Sequence, residues 1–117
     1  MDRMESLEDW LAALQSTGCP IVVEGPKDRA ALEQFGILDV VTLSREPLHE
    51  VVEGISARSK RVVILTDLDK EGKLLYSKLR QGFSRLGVQV DNVFREFLFS
   101  TQLSHIEGLA TYIRRER

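Results

Sequence analysis

A single cysteine in 117 residues, Cys19, excludes an internal disulfide and any cysteine-rich zinc site. Histidine is nearly as scarce, and His49 and His105 stand far apart with no partners at metal-ligand spacing. Three prolines and eight glycines are too few for a low-complexity or fibrous chain, while 43% hydrophobic residues are too many for a disordered one. No apolar run approaches the roughly 20 residues of a membrane span. The longest, around Ile21–Val23 and Val62–Leu65, are strand-sized. Asp2, Glu5, Glu8 and Asp9 at the start do not form a secretory or organelle leader. Charge of one sign is missing too: 16 Lys and Arg oppose 18 Asp and Glu, a net of −2. Holding nucleic acid by phosphate neutralisation alone calls for a basic chain. A nucleic-acid role therefore needs a bound metal, a local basic patch or a partner protein. These features predict a cytoplasmic protein of one domain, residues 1–117, without membrane contact.

Two kinds of segment alternate along the chain. Leu7, Trp10, Leu11 and Leu14 recur with helical spacing, and Gly18 and Pro20 close that helix. Ile21-Val22-Val23 reads as a buried strand, Asp28 to Phe35 as a helix ended by Gly36, and Asp39–Leu43 as a second strand. Leu48, Val51, Val52 and Ile55 mark a helix with Pro47 suited to its first turn. Val62–Leu65 is the strongest strand, followed by a helix from Gly72 to Leu86 with Leu75, Leu79, Phe83 and Leu86 inward and Gly87 as its stop. Val88-Gln89-Val90 is a fourth strand, and the remainder through Leu98, Leu103, Ile106, Leu109 and Ile113 is mostly helical. Phe94, Phe97, Leu98 and Phe99 are read as packing of that last segment in preference to a partner surface. Strands joined by helices imply βαβ units, and continuously apolar strands imply a sheet covered on both faces. The fold class is thus α/β: a four-stranded, mainly parallel sheet flanked by helices. Its expected core includes Val22, Val23, Val40, Val63, Ile64, Leu65, Leu75, Leu79 and Val90.

In such sheets the functional crevice lies beyond the carboxyl ends of the strands. The first strand runs into Glu24-Gly25-Pro26-Lys27-Asp28, and the third into Thr66-Asp67-Leu68-Asp69-Lys70-Glu71-Gly72. If these strands are neighbours, Glu24, Asp67 and Asp69 converge. Carboxylates so close repel and raise one another's pKa unless a cation sits among them. Oxygen ligands without His or Cys suit Mg²⁺ or Mn²⁺. Gly25 and Gly72 would permit close backbone approach, and the following helix starts would offer N–H groups to phosphate. A lone carboxylate at a strand's end is commonly a helix cap, and Asp28 or Asp69 taken singly fits that role. Glu24 is a poorer cap, and the joint occurrence favours a metal site. An EF-hand loop begun at Asp67 would put its bidentate Glu at Lys78, and no P-loop is present. A phosphatase Asp-x-Asp motif would sit on the first strand, not this late one.

Val22-Val23-Glu24-Gly25-Pro26-Lys27-Asp28, together with Val63-Ile64-Leu65-Thr66-Asp67-Leu68-Asp69-Lys70-Glu71-Gly72, resembles the Toprim domain. That domain is shared by bacterial-type primases, topoisomerases, overcoming-lysogenisation nucleases, a recombination-repair protein and a ribonuclease that matures small ribosomal RNA. The resemblance covers roughly residues 20–100, is closest to the small stand-alone Toprim proteins of archaea, and extends more loosely to Ser104–Leu109. It implies that Glu24 is the catalytic acid/base or first metal ligand and that Asp67 and Asp69 bind Mg²⁺, with Mn²⁺ as a substitute. Asp28 takes a supporting role, and Lys27, Lys70 and Lys73 become the expected phosphate contacts. Pro26 departs from the basic or small residue common there, leaving the carboxylates untouched.

Such a site acts on phosphodiesters, and the nucleophile decides the reaction. A topoisomerase tyrosine comes from a separate domain, and Tyr76 and Tyr112 read as packing or surface. Primase activity needs further modules, whereas hydrolysis by water needs none, so a Mg²⁺-dependent nuclease acting on RNA or DNA leads. The alternative is a non-catalytic metal-binding adaptor that reaches nucleic acid through a partner protein. Cys19 precedes a turn away from both acidic motifs, so Cys19→Ala is expected to leave divalent-cation binding intact, as measured by calorimetric titration. A large loss of affinity would reveal a thiol role.

Overall fold

The computed structural model describes residues 4–44 and 46–100. Its elements run α1 (Leu7–Ser16), β1 (Ile21–Val23), α2 (Pro26–Glu33), β2 (Val40–Thr42), α3 (Leu48–Ser56), β3 (Arg61–Ile64), α4 (Lys70–Arg85), β4 (Gln89–Asp91) and α5 (Val93–Phe99). Local chemistry sets the boundaries. Ser6 caps α1, its Oγ accepting the Asp9 N–H at 3.1 Å. Pro26 opens α2 where a missing N–H costs nothing. Gly87, at φ +75°, turns the chain out of α4 in a conformation few other residues adopt. The expected Ser104–Leu109 motif, the part of the mostly helical remainder that holds Leu103, Ile106, Leu109 and Ile113, His105 and Tyr112 lie outside the described residues.

The four strands form one sheet in the order β2-β1-β3-β4, and every pairing is parallel. Ile21 stands beside both Val40 and Val63, and Val22 beside Ile64, so β1 and β3 are the two interior strands. Strand alternation sends successive side chains to opposite faces. Ile21, Val23, Val63 and Leu65 pack with Trp10, Leu14, Leu32, Phe94 and Leu98 of α1, α2 and α5. Val22, Val62 and Ile64 pack with Val51, Val52, Ile55, Leu79 and Phe83 of α3 and α4. Two cores therefore cover the sheet, as continuously apolar strands require. Phe94 and Leu98 are core residues, in line with the packing expected of this segment.

Two expected core residues, and a third expected only to face inward, lie further out. Leu75 and Val90 are half-buried, and Leu86 is 46% exposed. At 16 residues α4 is about 24 Å long against about 13 Å for the four-residue β3, so its ends outrun the sheet. Leu86 is the C-cap residue, already leaving the helix, and Val90 sits on an edge strand.

Trp10 ties the two ends of the described chain. It is fully buried, its Nε1–H donates to the Phe94 carbonyl at 2.8 Å, and its ring meets the Phe94 ring edge-on at 6.4 Å. Trp10→Phe removes this bond and leaves a void, and is expected to lower stability by about 2 kcal/mol in urea unfolding followed by circular dichroism. An unchanged midpoint would show that α5 docks without it.

Candidate functional site

The strand order reverses between β1 and β3: the chain moves from β1 out to β2, then crosses back over β1 to β3. Crevices open at such switch points, at the carboxyl ends of the strands. Glu24 follows β1 there, and Asp67 stands three residues past β3. Glu24 Oε2 accepts the Asp67 backbone N–H at 2.6 Å, joining the two acidic motifs directly. Burial is the main influence raising the Glu24 pKa, and the neighbouring charges of Asp67 and Asp69 push it further; the Asp67 N–H works against them. Glu24 thus keeps its proton to a higher pH than an ordinary glutamate.

The segment from Thr66 to Gly72 is closed on itself. The buried Thr66 donates its hydroxyl to the Gly72 carbonyl at 2.8 Å, and Asp69 caps α4 by accepting the Gly72 N–H at 2.7 Å. A Cβ on Gly72 would overlap the Asp67 backbone, so glycine is required there by close approach. Gly25 differs from expectation: nothing lies within 4 Å of a Cβ built on it, and its extended φ of −149° suits any residue. Its N–H is bonded by Asp28 Oδ2 at 2.9 Å, which makes the buried Asp28 a brace for the start of α2. At the two helix starts expected to offer N–H groups to phosphate, those of Gly25 and Gly72 are thus engaged by carboxylates. Lys27 at the start of α2 and Lys70 and Lys73 at the start of α4 are exposed, on helices that begin beyond the carboxyl ends of β1 and β3.

Arg95 was not singled out by sequence. From α5 its Nε donates to the Thr66 carbonyl and its Nη2 to the Asp67 carbonyl, both at 3.1 Å. The guanidinium carbon lies 4.3 Å from the Tyr76 ring centre and 4.6 Å from that of Phe99. Burial lowers the Arg95 pKa, against the favourable charges of Tyr76, Glu24 and Asp67. The only hint in the sequence is an arginine set among Phe94, Phe97 and Phe99, with Phe99 one helical turn further on.

Glu24 and Asp67 are thus brought together, and Asp69 lies near enough for its charge to act on Glu24. Among the described residues no three His, Cys, Asp or Glu side chains converge tightly enough to enclose an ion. Oxygens of Glu24 and Asp69 are instead spent on backbone N–H groups. The donor set still fits Mg²⁺, which takes oxygen ligands, keeps several waters and commonly uses one or two carboxylates. The neighbouring charges of Asp67 and Asp69 add to the effect of burial at Glu24, and a divalent cation there would offset both.

Residues 19–97 match the Toprim domain family. A UPF0292 protein of Pyrococcus abyssi is 39% identical over 90 residues, covering 76% of this chain and 67% of that protein. One from Methanosarcina acetivorans is 30% identical over 122 residues, covering the whole chain and 84% of that protein. A solved structure of a protein from Aquifex aeolicus superposes with a TM-score of 0.85 at 34% identity, covering 89% of this chain and 98% of that one.

Because the Glu24 pKa is raised above 4.5, the folded state binds more proton than the unfolded state in the window between 4.5 and the raised value. Stability is then greatest below 4.5 as far as this group is concerned, and falls as pH rises through the raised value. In EDTA, Glu24→Gln is expected to melt at or above wild type at pH 7, with the gap closing towards pH 4.5. Melting below wild type at pH 7 would refute this account of the carboxyl.

Proposed function

Since the chain belongs to the Toprim family, a family of metal-dependent, nucleic-acid-related proteins, we propose that it is a Mg²⁺-dependent nuclease acting on RNA or DNA. Toprim domains generally bind a divalent metal, typically Mg²⁺. Asp67 and Asp69 would hold it, with Glu24 as ligand or proton carrier. When bound, the ion supplies charge stabilisation to the attacking and leaving oxygens of an in-line displacement. The protein does the rest. Glu24, whose pKa burial raises above that of an ordinary glutamate, would take the proton of the attacking water. Lys27, Lys70 and Lys73, exposed at the starts of the helices that follow the two acidic motifs, would draw phosphate towards the site. Asp28 supports the site indirectly, by fixing the turn at Gly25 that follows Glu24. The observation that carries this reading is the Glu24–Asp67 hydrogen bond, which unites both motifs at the switch point.

One feature favours a second reading, in which the chain is a metal-binding adaptor working through a partner protein. The net charge of −2 gives weak unaided affinity for a polyanion. Incubating labelled single-stranded RNA and DNA with the protein in Mg²⁺, Mn²⁺ or EDTA separates the two. Cleavage is expected with either cation and not in EDTA, falling about 10²-fold or more in Glu24→Gln. Asp67→Asn and Asp69→Asn are expected to weaken Mn²⁺ binding while leaving the fold intact. Cation binding without cleavage of either substrate would favour the adaptor, and wild-type binding by all three variants would refute the site.

A further inference from the structure

Parallel pairing ends where β3 ends. The Leu65 N–H still reaches the Val22 carbonyl at 2.8 Å, but the next carbonyls, of Thr66 and Asp67, have passed beyond the strand register. Backbone acceptors leaving a sheet beside a buried residue need donors. Arg95 supplies both, through two neighbouring nitrogens of one rigid plane. The Thr66–Asp67 peptide is thereby gripped on two sides, by Glu24 at its N–H and by Arg95 Nε at its carbonyl, while Arg95 Nη2 holds the carbonyl of the next peptide. Arg95 is itself sandwiched, by Tyr76 from α4 and Phe99 from its own helix.

We propose that Arg95 is a positioning residue: held between the Tyr76 and Phe99 rings, it fixes the Thr66 and Asp67 carbonyls so that Asp67 presents its carboxylate to a divalent cation. This rests on the cation site described above. It also runs against simple electrostatics. A guanidinium beside a cation site repels the ion, so a charge effect alone predicts tighter binding once Arg95 is removed. A positioning role predicts the reverse. Lysine keeps the charge but cannot serve two adjacent carbonyls from one plane, so it does not substitute.

The full chain is compared with Arg95→Lys, Arg95→Met and Arg95→Ala. Mn²⁺ affinity is read by calorimetric titration, and amide exchange at Asp67 and Gly72 is followed in EDTA. All three variants are expected to bind Mn²⁺ about 10-fold or more weakly, the scale of an outer-sphere partner. The Asp67 and Gly72 amides are expected to exchange faster while those of Val22 and Ile64 stay protected. Adding guanidinium chloride at millimolar concentration should restore Mn²⁺ binding to Arg95→Ala, and ammonium chloride should not. Unchanged or tighter binding by the variants, or wild-type exchange at Asp67 and Gly72, overturns the proposal and leaves the cation site standing. A wild-type chain that binds no Mn²⁺ overturns both. Faster exchange at Val22 and Ile64 as well would mean general loosening of the fold, and also counts against a positioning role.

Discussion

Two carboxylates from distant parts of the chain are held side by side in a half-buried place, and the rest of the site is arranged around that unfavourable juxtaposition. Glu24 accepts the N–H of the residue whose charge repels it. The bond offsets part of the repulsion and sets the spacing. Other contacts keep the approach from relaxing: Thr66 and Asp69 close the following turn onto Gly72, and Arg95 anchors its carbonyls. Trp10 belongs to the same chain of dependence, because it docks the helix that carries Arg95. An arrangement that keeps like charges together at this expense resembles the functional sites of other proteins more than a structural ion pair, whose charges are opposite.

The fold was largely legible because its causes are local. Short β-branched runs, helical stripes and the stops at Gly36 and Gly87 give the four strands and their intervening helices, and the uninterrupted apolar character of β1 and β3 marks them as interior. Local pattern fails at the margins. Leu86 has the spacing of an inward residue but falls where α4 ends, and Val90 has the chemistry of a buried strand but lies at the sheet's edge. Neither fact is written in the neighbouring residues.

The site was legible in part for the same reason. The acidic motifs are compact, and their meeting followed once the two strands were taken as neighbours. The two glycines look alike in sequence, yet Gly72 is compelled by the Asp67 backbone and Gly25 by nothing nearby. Arg95 lies 28 residues from Asp67, and its contacts are to backbone atoms, which leave no mark on the identity of the residue contacted. Asp69 shows that a cap and a candidate ligand need not be exclusive readings: one carboxylate oxygen can hold the helix start while its charge still acts on Glu24.

The Glu24–Asp67 contact spans 43 residues of chain and crosses the only interior pairing of the sheet, that of β1 with β3. Between them the chain lays β2 on the far side of β1 and returns, so this contact exists only once a long loop has closed, at the entropic cost of that closure. An unfolded or half-folded chain therefore has the two motifs but not their juxtaposition. Any ligand that needs both carboxylates recognises the finished protein alone, and stabilises that state by an amount that grows with the logarithm of its concentration above Kd. A chain still being synthesised has no such site until β3 has emerged and paired.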